Sequence, residues 1–184
     1  MKPIPKNSLF FPFPFTRETL KCMQADKDKF IQLIRHPVKF RTFLFSKLPS
    51  AFFSGVRVKS IGEWNAQVTV PYKWFSQNPF RSTYFACLAM AAEMSTGLLA
   101  MMHTYKSNPP ISMLVIGLEA KYLKKATGLT TFTCGDGEAI KRTIQDAINS
   151  GEGRSFKAKS VGKNKEGELV AEFFISWSFK VKEK

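Results

Sequence analysis

Apolar residues recur at helical spacing from Leu20 through Met23, Phe30, Leu33 and Ile34, just after Thr16 and Glu18, and this pattern predicts a capped helix. Pro37 ends it, and a second short helix is expected over residues 38–48, stopped by Pro49. The pattern then becomes β-like. Residues 52–60 and 64–72 are rich in Val, Phe, Thr and Trp and flank Gly62 and Glu63, which predicts a hairpin. A loop over residues 73–81 carries Asn78 and Pro79, and Ser82 is the expected N-cap of a long helix reaching about Tyr105. Beyond it the chain reads as strand, strand, helix, strand, strand. Residues 112–125 and 127–134 are β-rich and meet near Gly128. Ile140, Ile144 and Ile148 place one apolar stripe on a helix over residues 138–149, with Gly151 as its stop. Residues 156–161 and 169–181 form a last hairpin around the polar turn 162–167, with Phe173, Ile175, Trp177 and Phe179 alternating along one face.

The long central segment, STYFACLAMAAEMSTGLLAMMHTY, is apolar around nearly its whole circumference, so it must be surrounded by protein or by lipid. Its polar ends, its internal Glu93 and the strand signals on both sides favour a helix wrapped by a sheet over a transmembrane segment. Ala86, Met90, Glu93 and Gly97 share one largely small face. Glu93 is the anomaly there: a carboxylate on an apolar helix survives by pairing with a Lys or Arg, by standing on a partly exposed helix face, or by performing chemistry.

With 184 residues the chain is expected to form one compact unit, with residues 1–50 as an N-terminal helical extension and 51–184 as the main domain. A 44% hydrophobic content with 18 Phe supplies a core without disulfides. Cys22, Cys87 and Cys134 are odd in number and lack a CxxC pair, and His36 and His103 are the only imidazoles, so neither a disulfide framework nor a metal site is expected. That cysteine usage makes a cytoplasmic, reducing compartment the expected home, and Pro12 and Pro14, which interrupt the apolar run 9–15, speak against a signal peptide. The 28 Lys and Arg against 14 Asp and Glu give a net charge of +14, so anions are the expected partners, although a basic surface also serves solubility.

The order helices, two strands, loop, long helix, further strands resembles the hotdog-fold thioesterase superfamily over residues 52–181. Asn78 in WFSQNPF and Glu93 in AAEMSTG lie fifteen positions apart and match two landmarks of that superfamily. The likeness implies an α+β hotdog fold, a curled antiparallel sheet wrapped around a long central helix, in a branch that carries extra N-terminal helices. It also implies hydrolysis of an acyl-CoA-type thioester, with no cofactor beyond the coenzyme A of the substrate itself. Glu93 would be base or nucleophile, Asn78 would orient water or the carbonyl, and Ser112 would correspond to a hydroxyl that relatives keep beside the acid. Asn78 before Pro79 also reads as a turn residue, and Ser112 as an ordinary strand serine.

The backbone N–H groups opening the helix, near Thr83, Tyr84 and Phe85, are oriented to hold an oxyanion, with Arg81 and Ser82 alongside. Between Ser82 and Glu93 the helix rises roughly 16 Å, so one helix cannot bring both to one carbonyl. An antiparallel second copy can, and a homodimer with two composite sites, alone or paired into a tetramer, is therefore expected. Lys121, Lys124, Lys125, Arg154, Lys157 and Lys159 are candidates for the coenzyme A phosphates, and exposed strand lysines equally deter edge pairing. The His-Gly pair common at the helix start in relatives is replaced by Arg81, Ser82, Thr83 and Tyr84, which opens the alternative of acyl-CoA or lipid binding without turnover. A nucleic-acid binder is the third reading. It is disfavoured because the aromatics fall in alternating core patterns rather than among the basic clusters.

Overall fold

A computed structural model describes residues 17–182, with side chains from residue 26 onward. The opening run 1–15, the cap expected at Thr16 and the side chains of Leu20 and Met23 lie outside the described residues. Helix α1 (Arg17–Arg35) turns Phe30 and Ile34 into the core and stops where Pro37 forbids continuation. Pro37 then opens α2 (Pro37–Lys47), whose first turn is capped by His36 Nδ1 accepting from the Lys39 N–H at 3.3 Å. Pro49 restarts the chain in the same way as α3 (Pro49–Phe53). Phe52 and Phe53, expected to begin a strand, are therefore helical, because a proline at N1 outweighs their β propensity. Gly55, at φ +78°, makes the turn out of α3, and a Cβ there would come within 2.9 Å of Pro71.

Strands β1 (Arg57–Ile61) and β2 (Ala66–Val70) form the expected hairpin, closed by the Gly62 N–H donating to the Asn65 carbonyl at 2.8 Å. A 3-10 turn (Trp74–Ser76) leads into α4 (Phe85–Thr104). Strands β3 (Ile111–Tyr122) and β4 (Thr130–Cys134), helix α5 (Gly137–Ser150), and strands β5 (Arg154–Lys163) and β6 (Leu169–Val181) complete the chain. All six strands join one antiparallel sheet in the order β1-β2-β4-β5-β6-β3. β3 and β4 do not meet at Gly128 as their sequence adjacency suggests. β3 pairs with β6 at one edge, and the chain crosses back to insert β4 between β2 and β5.

Helix α4 touches every strand, so the sheet curls around it in the hotdog arrangement. It is long and apolar enough to cross a membrane, but most of it is buried in this core. Leu88, Ala91, Ala92, Leu99 and Met102 share one buried cluster with the inward residues Phe132, Phe173, Ile175 and Phe179 and with Phe40 and Leu44 of α2. Two buried side-chain bonds pin the helix to the sheet, Ser95 Oγ to Ser160 Oγ at 2.8 Å and Trp177 Nε1 donating to Thr96 Oγ1 at 3.0 Å.

Candidate active site

The loop between β2 and α4 is organised by Asn78. Its Oδ1 accepts from the N–H groups of Phe80 (3.0 Å) and Ser82 (3.2 Å) and from Ser82 Oγ (3.2 Å), while its own N–H donates to the Ser82 carbonyl at 2.9 Å. The turn reading of Asn78 is thus realised, with the oxygen consumed inside the loop. Its Nδ2 has no hydrogen-bond partner among the described residues and remains the one group of that side chain free to donate. Arg81 sits at φ +57°, a strained conformation for a residue other than glycine.

Ser82 is not the N-cap. Spent on Asn78, it leaves that position to Tyr84, whose side chain makes no capping bond. The Thr83 N–H and Oγ1 both donate to the Ala126 carbonyl (2.8 and 3.1 Å), and the Tyr84 N–H donates to the Ser76 carbonyl at 2.7 Å. Of the donors expected to face an oxyanion, Thr83 and Tyr84 are therefore occupied. The N–H groups of Phe85 and Ala86 remain at the positive end of α4 without a backbone acceptor. Tyr84 and Phe85 are exposed and pack edge to face at 4.8 Å, and Phe85 also reaches Tyr122 of β3.

Glu93 lies on the one side of α4 that the chain's own sheet leaves partly open, in line with Ala86, Met90 and Met101. It is half-buried, and its carboxylate has neither a cation nor a hydrogen-bond donor among the described residues. The salt-bridge reading does not hold, and burial alone pushes its pKa above the ordinary carboxylate value. Beneath it Gly97 permits a close approach: a Cβ there would meet Glu93 Oε1 at 3.2 Å and the Trp177 ring at 3.2 Å. Trp177, anchored to Thr96, thus floors the carboxylate. Sequence reasoning treated this tryptophan only as one of four alternating core residues; the signal was Gly97, one helical turn beyond the acid.

Ser112 does not join Glu93. Its neighbour Met113 approaches Thr104, eleven residues further along α4, and Ser112 is paired with Lys180 on the face of the sheet away from that helix. Lys124 is held by Glu168 at 2.5 Å, Lys157 by Glu119 at 2.5 Å, Lys159 by Glu172 at 2.6 Å and Arg154 by Glu152 at 3.2 Å. These cations are compensated surface pairs rather than vacant phosphate ligands. Lys125 leans toward the Phe80 carbonyl at 3.5 Å, and Lys121 stands exposed at the end of β3. Cys134 is buried, its thiol pushed up to about 12, and is no nucleophile.

No curated protein matches the sequence. Solved structures do. A protein of unknown function from Pseudomonas aeruginosa, described as a probable thioesterase, is 18% identical with a TM-score of 0.67, over 79% of this chain and 97% of that one. A protein of unknown function from Chlorobaculum tepidum is 16% identical with a TM-score of 0.67, over 86% and 96%. A thioesterase from Haemophilus influenzae is 14% identical with a TM-score of 0.56, over 79% and 91%. Such likeness establishes the hotdog fold. A family model described as a domain of unknown function, DUF4442, matches residues 39–179, from α2 to near the end of β6, and the chain belongs to that family.

Proposed function

We propose that the chain hydrolyses an acyl-CoA-type thioester at a site shared across a homodimer, and that Glu93 is its base. The observation that carries this reading is the unpaired, half-buried Glu93 carboxylate on the open side of an apolar helix. A raised pKa makes it a stronger base than an exposed carboxylate. It takes a proton from water as the oxygen attacks the thioester carbon. The tetrahedral oxyanion is held by the N–H groups of Phe85 and Ala86, with Asn78 Nδ2 as a further donor. The C–S bond then breaks, and the departing thiolate recovers the proton from Glu93.

From Phe85 to Glu93 α4 rises about 12 Å, so the two halves of this machinery come from two antiparallel copies. Strand β3 supports that pairing: it is a twelve-residue sheet edge that exposes Leu114, Val115, Ile116 and Leu118, an apolar surface a lone protomer would have to leave wet. Lys121 and Arg81 stand near the ends of the shared surface as candidate contacts for the coenzyme A phosphates. Binding without turnover is the second reading, favoured by the Asn78 oxygen being spent inside its own loop. A panel of acyl-CoAs of graded chain length, followed by free-thiol release, separates the two. Thiol release that depends on Glu93 is expected. Saturable acyl-CoA binding by calorimetry with no thiol released for any chain length would leave the binding reading standing and overturn hydrolysis.

A further inference from the structure

Helices α2 and α3 and the Trp74–Ser76 turn present a continuous aromatic face to solvent. Phe45 contacts Phe52 at 5.2 Å, Phe52 contacts Phe53 at 5.3 Å, Phe53 contacts Phe75 at 5.4 Å, and Phe75 contacts Trp74 at 4.7 Å. Phe52 packs against the core, and the other rings stand out from it: Trp74 is 75% exposed and Phe45 55%, and Leu48 joins them at the end of α2. Beside the rings runs a cleft of about 190 Å3 between α2 and β1, lined by Arg35, Arg41, Arg57 and Lys59 and by no carboxylate. Arg41 joins the two features. Its guanidinium lies 3.8 Å over the Phe52 ring and donates to the Phe52 and Val56 carbonyls, while Arg35 is fixed by the Ile61 carbonyl at 2.8 Å. Between residues 29 and 92 nine Lys and Arg meet one carboxylate, Glu63. None of the four cleft cations has an ion-pair partner among the described residues.

We propose that this face docks on an anionic lipid bilayer, with Phe45, Leu48, Phe53, Trp74 and Phe75 entering the headgroup region and the cleft arginines meeting lipid phosphates. Charge complementarity selects this occupant. Residues 1–16 carry Lys2 and Lys6 and no acid, so they would add positive charge to a positive surface, and a second copy would bring the same cations to the same place. Single-stranded nucleic acid needs open ring faces for its bases, whereas these rings pack mostly edge to face, at 88° for Phe52 on Phe53 and 84° for Trp74 on Phe75. Bulky apolar groups flanked by Lys and Arg are what a bilayer interface takes up.

The docking stands apart from the proposed hydrolysis, because its readout is vesicle binding. The full chain is sedimented with phosphatidylcholine vesicles with and without about 30% phosphatidylserine, at low and high salt. Binding confined to the phosphatidylserine vesicles and weakened by salt is expected, with a blue shift of tryptophan emission that Trp74→Phe removes. Trp74→Ala with Phe75→Ala, and separately Arg57→Glu with Lys59→Glu on the exposed side of the cleft, should each weaken binding about tenfold or more. Phe45→Ser reads the same face if either pair proves unstable. No binding, or equal binding to neutral vesicles, overturns the proposal. It is also overturned if these variants leave vesicle binding intact while they abolish single-stranded oligonucleotide binding or lower the oligomer mass seen by light scattering.

Discussion

Two ionisable groups lie ten residues apart on α4, and they differ in what surrounds them. Glu93 sits where the helix is left open, over Gly97 and Trp177. His103 is sealed at the other end: 8% exposed, stacked on Trp64 at 6.3 Å, with its Nε2 unpartnered among the described residues. Burial, aided by the charges of Lys27 and Lys141, holds its pKa down to about 4. Desolvation disfavours the charged form of both groups. Of the two, Glu93 is the more open to a molecule from outside. On the proposed mechanism, a desolvated group acquires a chemical use where its site opens, while an enclosed one only burdens the fold.

The strongest way to break this contrast is Glu93→Gln, which keeps shape and removes charge. At least about a hundredfold loss of acyl-CoA hydrolysis is expected in single-turnover and steady-state assays, whereas His103→Gln should leave the rate within a few-fold. A rate insensitive to Glu93→Gln would place the two groups in one class. A subunit-mixing experiment sharpens the same point. Asn78→Asp keeps the oxygen that organises the loop and removes the amide donor. Refolding this inactive variant with an equal amount of inactive Glu93→Ala should restore about a quarter of the wild-type rate, from the one intact site of each mixed dimer. Sites built within single chains would stay silent.

For His103 the expected effect is on stability. Its folded pKa lies below the unfolded value of 6.5, so the folded chain keeps it neutral where the unfolded chain would protonate it. The stability is complete above pH 6.5 and falls as the pH drops toward about 4, by on the order of 3 kcal/mol. Urea unfolding followed across that window should show the decline, and His103→Leu should flatten it. For Glu93 the sign reverses: with the pKa raised, ionisation costs folding energy and stability falls as pH rises through the folded pKa. Glu93→Gln should therefore be more stable than the wild type at neutral pH and no more stable in acid. The smallest effect is expected of Gly97→Ala, whose methyl group presses on Glu93 Oε1 and Trp177. A several-fold change in kcat with little change in KM is the expected result.

Much of this was legible in the sequence because periodicity reports burial. The all-round apolar text of α4, the isoleucine stripe of α5 and the alternation along β6 each name what covers them. Glu93 stood out for the same reason, as a break in a pattern. The chain around Pro49 is less readable: a proline that ends one helix also starts the next, and local propensity cannot distinguish the two, so Phe52 and Phe53 at the end of α3 carry a strand signal. The crossing between β3 and β4 escaped because strand neighbours in a sheet are chosen by core packing across distant segments, which no window records. The hydrogen bonds that occupy Ser82, Thr83 and Tyr84 escaped similarly, since Ala126 and Ser76 reach them only once the fold has formed.

The position of β3 at the far side of β6 bears on the order in which this chain acquires its shape. Ile111 pairs with Val181 and Tyr122 with Ala171, so the longest ladder with β3 closes loops of roughly fifty to seventy residues and forms last in sequence. During synthesis α4 emerges long before Phe173, Ile175, Trp177 and Phe179 exist to cover it. An almost wholly apolar twenty-residue helix then waits beside an unpaired aliphatic strand, and that interval is when the nascent protein most needs a chaperone.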